Sequence, residues 1–206
     1  MSKLLDRVVG ELSKLPGVGK RTALRLAIHL LRTGREDVGA LAEAIRRFRD
    51  EIRYCKYCNN LSDDEVCPIC ADLRRDRTTV CVVEHVKDVL SIENTRQYNG
   101  LYHVLGGVIS PMQGIAPSDL KIDLLLENIA RGEIREVILA LSTSVEGETT
   151  AFYITRRLEE CAGIKITSLA RGIGFGDELD YADDLTIAHA LHNRTEIHRD
   201  ESGKAG

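Results

Sequence analysis

Apolar residues fall into two rhythms along the chain, and the change comes between residues 54 and 77. Before it, Leu4, Leu5, Val8, Val9 and Leu12 recur every three to four positions, which predicts an amphipathic helix over 3–13. Ala23, Leu24, Ala27, Ile28 and Leu31 predict a second helix ending near Gly34. Val38, Leu41, Ala42, Ile45, Phe48 and Ile52 predict a third, whose outer surface carries Arg46, Arg47, Arg49 and Arg53. After the change, short β-branched runs alternate with helical ones. Residues 79–83, 101–105, 137–141 and 164–169 read as strands. Residues 86–92, 119–130 and 149–161 read as helices, the second with Leu120, Leu124 and Ile129 inward. The uninterrupted apolar run at 79–83 suits a strand buried on both faces. The alternation as a whole predicts an open, doubly wound α/β sheet. Gly172-Ile-Gly-Phe-Gly176 reads as a flexible loop after the last strand. A last helical segment, 179–191, has Leu185, Ala188 and Leu191 on one face, and 199–206 reads as a frayed end.

The stretch that divides the rhythms holds Cys55, Cys58, Cys67 and Cys70, two C-x-x-C pairs eight residues apart. Four thiolates so spaced can surround one Zn²⁺ tetrahedrally at about 2.3 Å, with no position left for water, so the ion would be structural and not catalytic. Asn59 and Pro68 suit the tight turns, and Asp63-Asp64-Glu65 reads as a solvated tip. Two disulfides, or four ordinary thiols, are the alternatives. The N-terminus carries charges where a secretory signal would be apolar, which disfavours disulfides. No apolar run approaches the ~18 residues of a membrane span, and the expected location is the cytoplasm. Cys81, inside a strand, and Cys161, near a helix end, read as core fillers, and Tyr153 as a packed helix residue.

Charge adds a direction. Residues 1–53 hold 12 Lys and Arg against 7 Asp and Glu, whereas residues 78–206 hold 12 against 20. A basic end on a chain of net charge −4 points to a local polyanion contact. Aromatics are 4% with no Trp, which argues against base stacking as the binding device. Between the first two helices lies Leu15-Pro-Gly-Val-Gly-Lys20. Gly17 and Gly19 permit a tight turn, and the helix that follows offers unpaired N–H groups to an anion, with Lys20, Arg21 and Arg25 around it and the third helix's arginines in support. This resembles the helix-hairpin-helix pattern of DNA-binding proteins that do not read sequence; an ordinary Gly turn is the alternative.

Carboxylates gather where ligands collect in open α/β sheets, beyond the strand ends. Glu84 ends the first strand of the sheet, and Glu146 and Glu148 lie in the expected loop after 137–141. One Glu plus an acidic-x-acidic pair resembles the Mg²⁺ site of Toprim domains in topoisomerases, primases and some nucleases; solvated loop carboxylates are the alternative.

Taken in order, these motifs, with Gly106-Gly-Val-Ile-Ser-Pro111, Ser144-Val-Glu-Gly-Glu-Thr149 and Leu169-Ala-Arg-Gly172 leading to Tyr181-Ala-Asp-Asp-Leu185, resemble the RecR family of bacterial recombination mediators over nearly the whole chain. The resemblance implies a helix-hairpin-helix domain at 1–53, a four-cysteine zinc finger at 54–77, a Toprim domain at 78–171 and a C-terminal helical arm at 172–206. It implies action with RecO and RecF in loading RecA onto gapped DNA coated with single-strand-binding protein, and assembly as dimers of dimers that clamp DNA in a ring. It implies no catalysis. Glu-Gly-Glu stands where catalytic Toprim enzymes have Asp-x-Asp, and no attacking nucleophile is evident, so the acidic edge reads as a docking surface for a RecO-like partner. The competing readings are a Mg²⁺-dependent Toprim enzyme and a zinc-stabilised interaction module without DNA; whether Mg²⁺ binds is left open.

Overall fold

The computed structural model describes residues 2–194 apart from Ala162, Arg171, Gly174, Phe175 and Asp177. Gly174 and Phe175 of the expected loop at 172–176 and the expected frayed end at 199–206 lie outside the described residues, as do the side chains of Leu185 and His189. The chain divides into two compact units: residues 1–54 with 61–65, and residues 55–60 with 66–206.

The first unit is helical. Helix α1 (Lys3–Leu12) packs on α2 (Lys20–Arg32), where small Ala23 and Ala27 are buried and so allow close approach. Helix α3 (Arg35–Glu51) buries none of its side chains, and Leu41, Ile45 and Phe48 stand exposed along one stripe. Two short strands, β1 (Arg53–Tyr54) and β2 (Leu61–Ser62), pair antiparallel and were not legible in the apolar pattern, being too short to show a period.

The second unit holds four parallel strands in the order β4-β3-β5-β6: β3 (Asp76–Val83), β4 (Gly100–Val104), β5 (Glu136–Ala140) and β6 (Lys165–Ser168). Register pairs Cys81 with Tyr102 on one side and with Ile138 on the other. A four-residue helix, α4 (Pro68–Ala71), precedes the sheet. Helix α5 (Val86–Thr95) lies over Cys81, Val83, Tyr102 and Val104, while α6 (Ile122–Ala130) and α7 (Val145–Leu158) cover the face of Val80, Val82, Val137 and Leu139. The fold is the expected doubly wound α/β. The last four residues of β3 are buried on both faces, but Ile138 and Ala140 of β5, on the face that α5 covers, are only half-buried.

Two helices differ from the sequence reading. Helix α6 starts at Ile122, after a 3-10 turn at Pro117–Asp119, and its inward residues are Ile122, Leu125 and Ile129, with Leu124 half-buried. Helix α7 starts four residues earlier than expected, at Val145. Residues 145–148 were expected in the loop; a Cβ at Gly147 would lie 2.3 Å from the Ser142 carbonyl oxygen, so glycine is what lets the first turn pack against the preceding loop. Beyond β6 come a 3-10 turn (Leu179–Tyr181) and α8 (Asp184–His192), which exposes the expected inward Ala188 and Leu191 and half-buries Ile187 and Ala190 instead.

Candidate metal centre and nucleic-acid interface

Cys55, Cys58, Cys67 and Cys70 are all buried, and their sulfur atoms lie within 4.8 Å of one another. The Cys58 and Cys67 sulfurs are 3.5 Å apart, where a disulfide would need about 2.05 Å. A tetrahedral Zn²⁺ with bonds of about 2.3 Å requires sulfurs about 3.8 Å apart, so the set fits that ion. Each ligand pair is shaped by its turn. Asn59 takes the left-handed conformation (φ 59°) just after Cys58, and the Cys55 amide donates across the turn to the Asn60 carbonyl. Cys67 caps α4 with its sulfur, accepting from the Cys70 amide. Hydrogen bonds from Cys58, then Cys70, pull the Cys67 thiol far below its ordinary range, and the same Cys67 partnership, followed by Cys70 and burial, pushes Cys58 up. Four ionised thiolates at this spacing repel one another; a dication neutralises them, and its binding energy becomes folding energy for a loop with no core of its own.

The knuckle is attached to the sheet. Val104 of β4 donates its amide to the Cys58 carbonyl (2.8 Å), and the Asn59 side-chain amide donates to the Val104 carbonyl (2.8 Å). Asn128 of α6 donates to the Tyr57 carbonyl, and the Arg131 guanidinium sits 5.2 Å from the Tyr57 ring centre. The four-cysteine loop thus occupies the free edge of β4 as a short extra strand would. Asn128 gave no sequence signal; Asn59 gave one, as a turn residue.

The turn before α2 has the form an anion site needs. Gly17 lies at φ +77°, and Gly19 precedes the helix in extended conformation with no side-chain cap on the first turn, which leaves its N–H groups available to an anion. Lys20, Arg21 and Arg25 are exposed around that end. Arg46, Arg47 and Arg49 are exposed on α3 as expected, while Arg53 lies in β1; Arg46 is bridged to Glu43 and Asp50, and Arg47 to Glu51.

The carboxylates sit at the switch point of the sheet, where the connections after β3 and β5 leave in opposite directions. Glu84, half-buried, accepts from the Ser142 amide (2.6 Å) across that crevice. Glu146 and Glu148 lie in the first turn of α7 and not in a loop, Ser144 capping the helix by accepting from the Gly147 amide. Anionic side chains there favour the helix dipole, which is a structural use for both. Among the described residues the four cysteines are the one group of three or more metal-ligating side chains with all its ligand atoms so close; the three glutamates do not form another. Cys81 is buried in β3 and Cys161 half-buried against the core, as core fillers would be, and Tyr153 packs beside the core with its hydroxyl 3.2 Å from Arg157. Among the described residues no helix is long and apolar enough to cross a membrane.

Comparison with known proteins follows the same order of parts. Residues 5–49 match the family described as RecR, helix-hairpin-helix, 52–72 the RecR four-cysteine zinc finger domain, 78–170 the Toprim domain, and 172–195 the RecR C-terminal family. A recombination protein RecR of Bacteroides thetaiotaomicron is 55% identical over 94% of each chain, and one of Porphyromonas gingivalis is 53% identical over 95% of this chain and 94% of its own. The chain belongs to the RecR family. A Flavobacterium johnsoniae RecR, 50% identical over 94% of this chain and 93% of its own, agrees. Family and geometry together make the four cysteines a site for one zinc ion per chain.

Proposed function

We propose that this chain is a cytoplasmic, non-enzymatic mediator of recombinational repair that binds DNA by its backbone and, with RecO and RecF, helps place RecA on gapped DNA coated with single-strand-binding protein. The carrying observation is the uncapped N-terminus of α2 behind Gly17 and Gly19, ringed by Lys20, Arg21 and Arg25, in a chain whose close relatives are recombination proteins. Phosphate oxygens suit free N–H groups and a positive helix end, and such contacts carry no sequence information. On this reading residues 1–53 bind DNA, 54–77 form the zinc finger, 78–171 the Toprim domain and 172–206 an arm. The exposed apolar stripe Leu41, Ile45 and Phe48 supports self-assembly, and a homo-oligomeric ring would let a sequence-blind contact hold DNA topologically. Glu84, Glu146 and Glu148 serve as an acidic docking edge. The Ser142 amide held by Glu84 and the place of Glu146 and Glu148 in the first turn of α7 support docking over Mg²⁺-dependent turnover, which needs a metal gripped by several carboxylates and an aligned attacker. The test is RecA loading on protein-coated gapped DNA: this chain with a RecO partner should accelerate filament formation, and no acceleration, or Mg²⁺-dependent nicking by the chain alone, would refute the reading.

A further inference from the structure

The positive charge of the first unit is not spread over its helices. Helix α3 carries four arginines against Glu36, Asp37, Glu43, Asp50 and Glu51, and α1 carries Lys3 and Arg7 against Asp6 and Glu11. Helix α2 carries Lys20, Arg21, Arg25 and Arg32 with no acidic residue in its 13 positions. At about 100° per residue, Arg21, Arg25 and Arg32 fall within about 40° of one another around the helix, and Ala23 and Ala27 lie on the opposite side, buried against α1. The arginines are exposed, and among the described residues none has a carboxylate within ion-pair distance, unlike Arg46 and Arg47 next door. They edge a shallow groove whose floor is Leu24 and Ile28, with His29 on its flank.

We infer that the DNA contact does not end at the hairpin but continues along α2 as a backbone track from Arg21 through Arg25 to Arg32, with Leu24 and Ile28 against the sugars. The inference rests on the DNA-binding reading above. At about 1.5 Å rise per residue the line runs about 16 Å, long enough to follow several successive phosphates spaced about 3.4 Å along a strand axis. Unpaired arginines have no partner to give up, whereas recruiting Arg46 or Arg47 would first break a charge-assisted hydrogen bond. The occupant is therefore a sugar-phosphate backbone, read without base contacts.

The experiment is salt-dependent binding of a fluorescent single-stranded oligonucleotide by the full-length, zinc-loaded protein. Each lost phosphate contact lowers the log–log slope by about 0.7. Arg32→Gln should lower it by that amount, Arg32→Lys should keep it, and Arg46→Gln and Arg47→Gln should leave it unchanged. Arg32 also lies in the last turn of α2, where any cation favours the helix dipole, so melting curves are taken beside the slopes. A slope that falls with melting unchanged supports the track; a lower melting temperature with an unchanged slope overturns it and leaves Arg32 a purely structural role. If Lys20→Glu/Arg21→Glu/Arg25→Glu lowers the slope but Arg32→Gln does not, the track fails and hairpin binding stands. If the parent shows no salt-dependent binding, the underlying reading fails as well.

Discussion

Replacing Asn59 by Ala should destabilise the second unit although the residue is not one of the four candidate metal ligands. Its amide supplies the 2.8 Å hydrogen bond to the Val104 carbonyl on the edge of β4, and residue 59 itself stands at φ 59°. Leaving a buried carbonyl unsatisfied costs about 1–3 kcal/mol, and a Cβ in the left-handed region without asparagine's local hydrogen bonding adds about 1 kcal/mol. The expected total is about 2–4 kcal/mol. Asn59→Gly separates the two parts, since glycine takes positive φ freely but cannot donate; it should fall about 1 kcal/mol short of the Ala variant's loss. Urea unfolding of zinc-loaded protein, followed by tyrosine fluorescence, measures the difference. Hydrogen exchange supplies the mechanism, because the Val104 amide donates to the Cys58 carbonyl and should lose protection when zinc is chelated. An Ala variant within about 0.5 kcal/mol of the parent, or a Val104 amide equally protected with and without metal, would refute the idea that the zinc knuckle completes the sheet edge.

His103 gives the fold an acid-sensitive term. Its ring is 1% exposed, Nε2–H donates to the Lys121 carbonyl at 2.7 Å, and Nδ1 has no hydrogen-bond partner among the described residues; burial lowers its pKa from 6.5 to about 4. The unfolded chain then binds a proton that the folded chain refuses, so stability should fall by about 3 kcal/mol as pH drops from about 6.5 to about 4, and His103→Gln should flatten that slope in denaturation midpoints measured across the window. Gly147→Ala should lower stability by about 1–3 kcal/mol, since its Cβ would meet the Ser142 carbonyl, and a thermal melt unchanged from the parent would show that the loop yields freely. Glu146→Ala should weaken RecO binding and RecA loading while leaving bare-DNA affinity intact, as read by parallel pull-down, loading and anisotropy assays.

What was legible in the sequence was what repeats or what carries scarce chemistry. Helical spacing placed α1 and α2 within two residues and marked α3 from Val38 onward, because their apolar positions recur over several turns. The four cysteines announced their own site, and Gly17 and Gly19 marked the hairpin. Short-range exceptions were hidden. The early start of α7 depends on Gly147 fitting against the Ser142 backbone, a contact the apolar pattern does not carry, and the two-residue strands β1 and β2 have no period to detect. The pairing of Arg46 with Glu43 and Asp50 is readable at helical spacing, and the charge of residues 1–53 taken together hides that α2 carries the excess. The attachment of the knuckle to β4 depends on tertiary contacts of Asn59 and Asn128, separated from their partners by 45 and 71 residues, which no local pattern encodes.

The most direct test of the DNA-binding claim is a salt titration of gapped-DNA binding by the parent and by the Lys20→Glu/Arg21→Glu/Arg25→Glu variant, each first shown by light scattering to have the same oligomeric state. Three lost phosphate contacts should flatten the log–log slope by about 2–3 and weaken binding at every salt concentration. Identical slopes for the two proteins would place the DNA elsewhere on the chain and contradict the account.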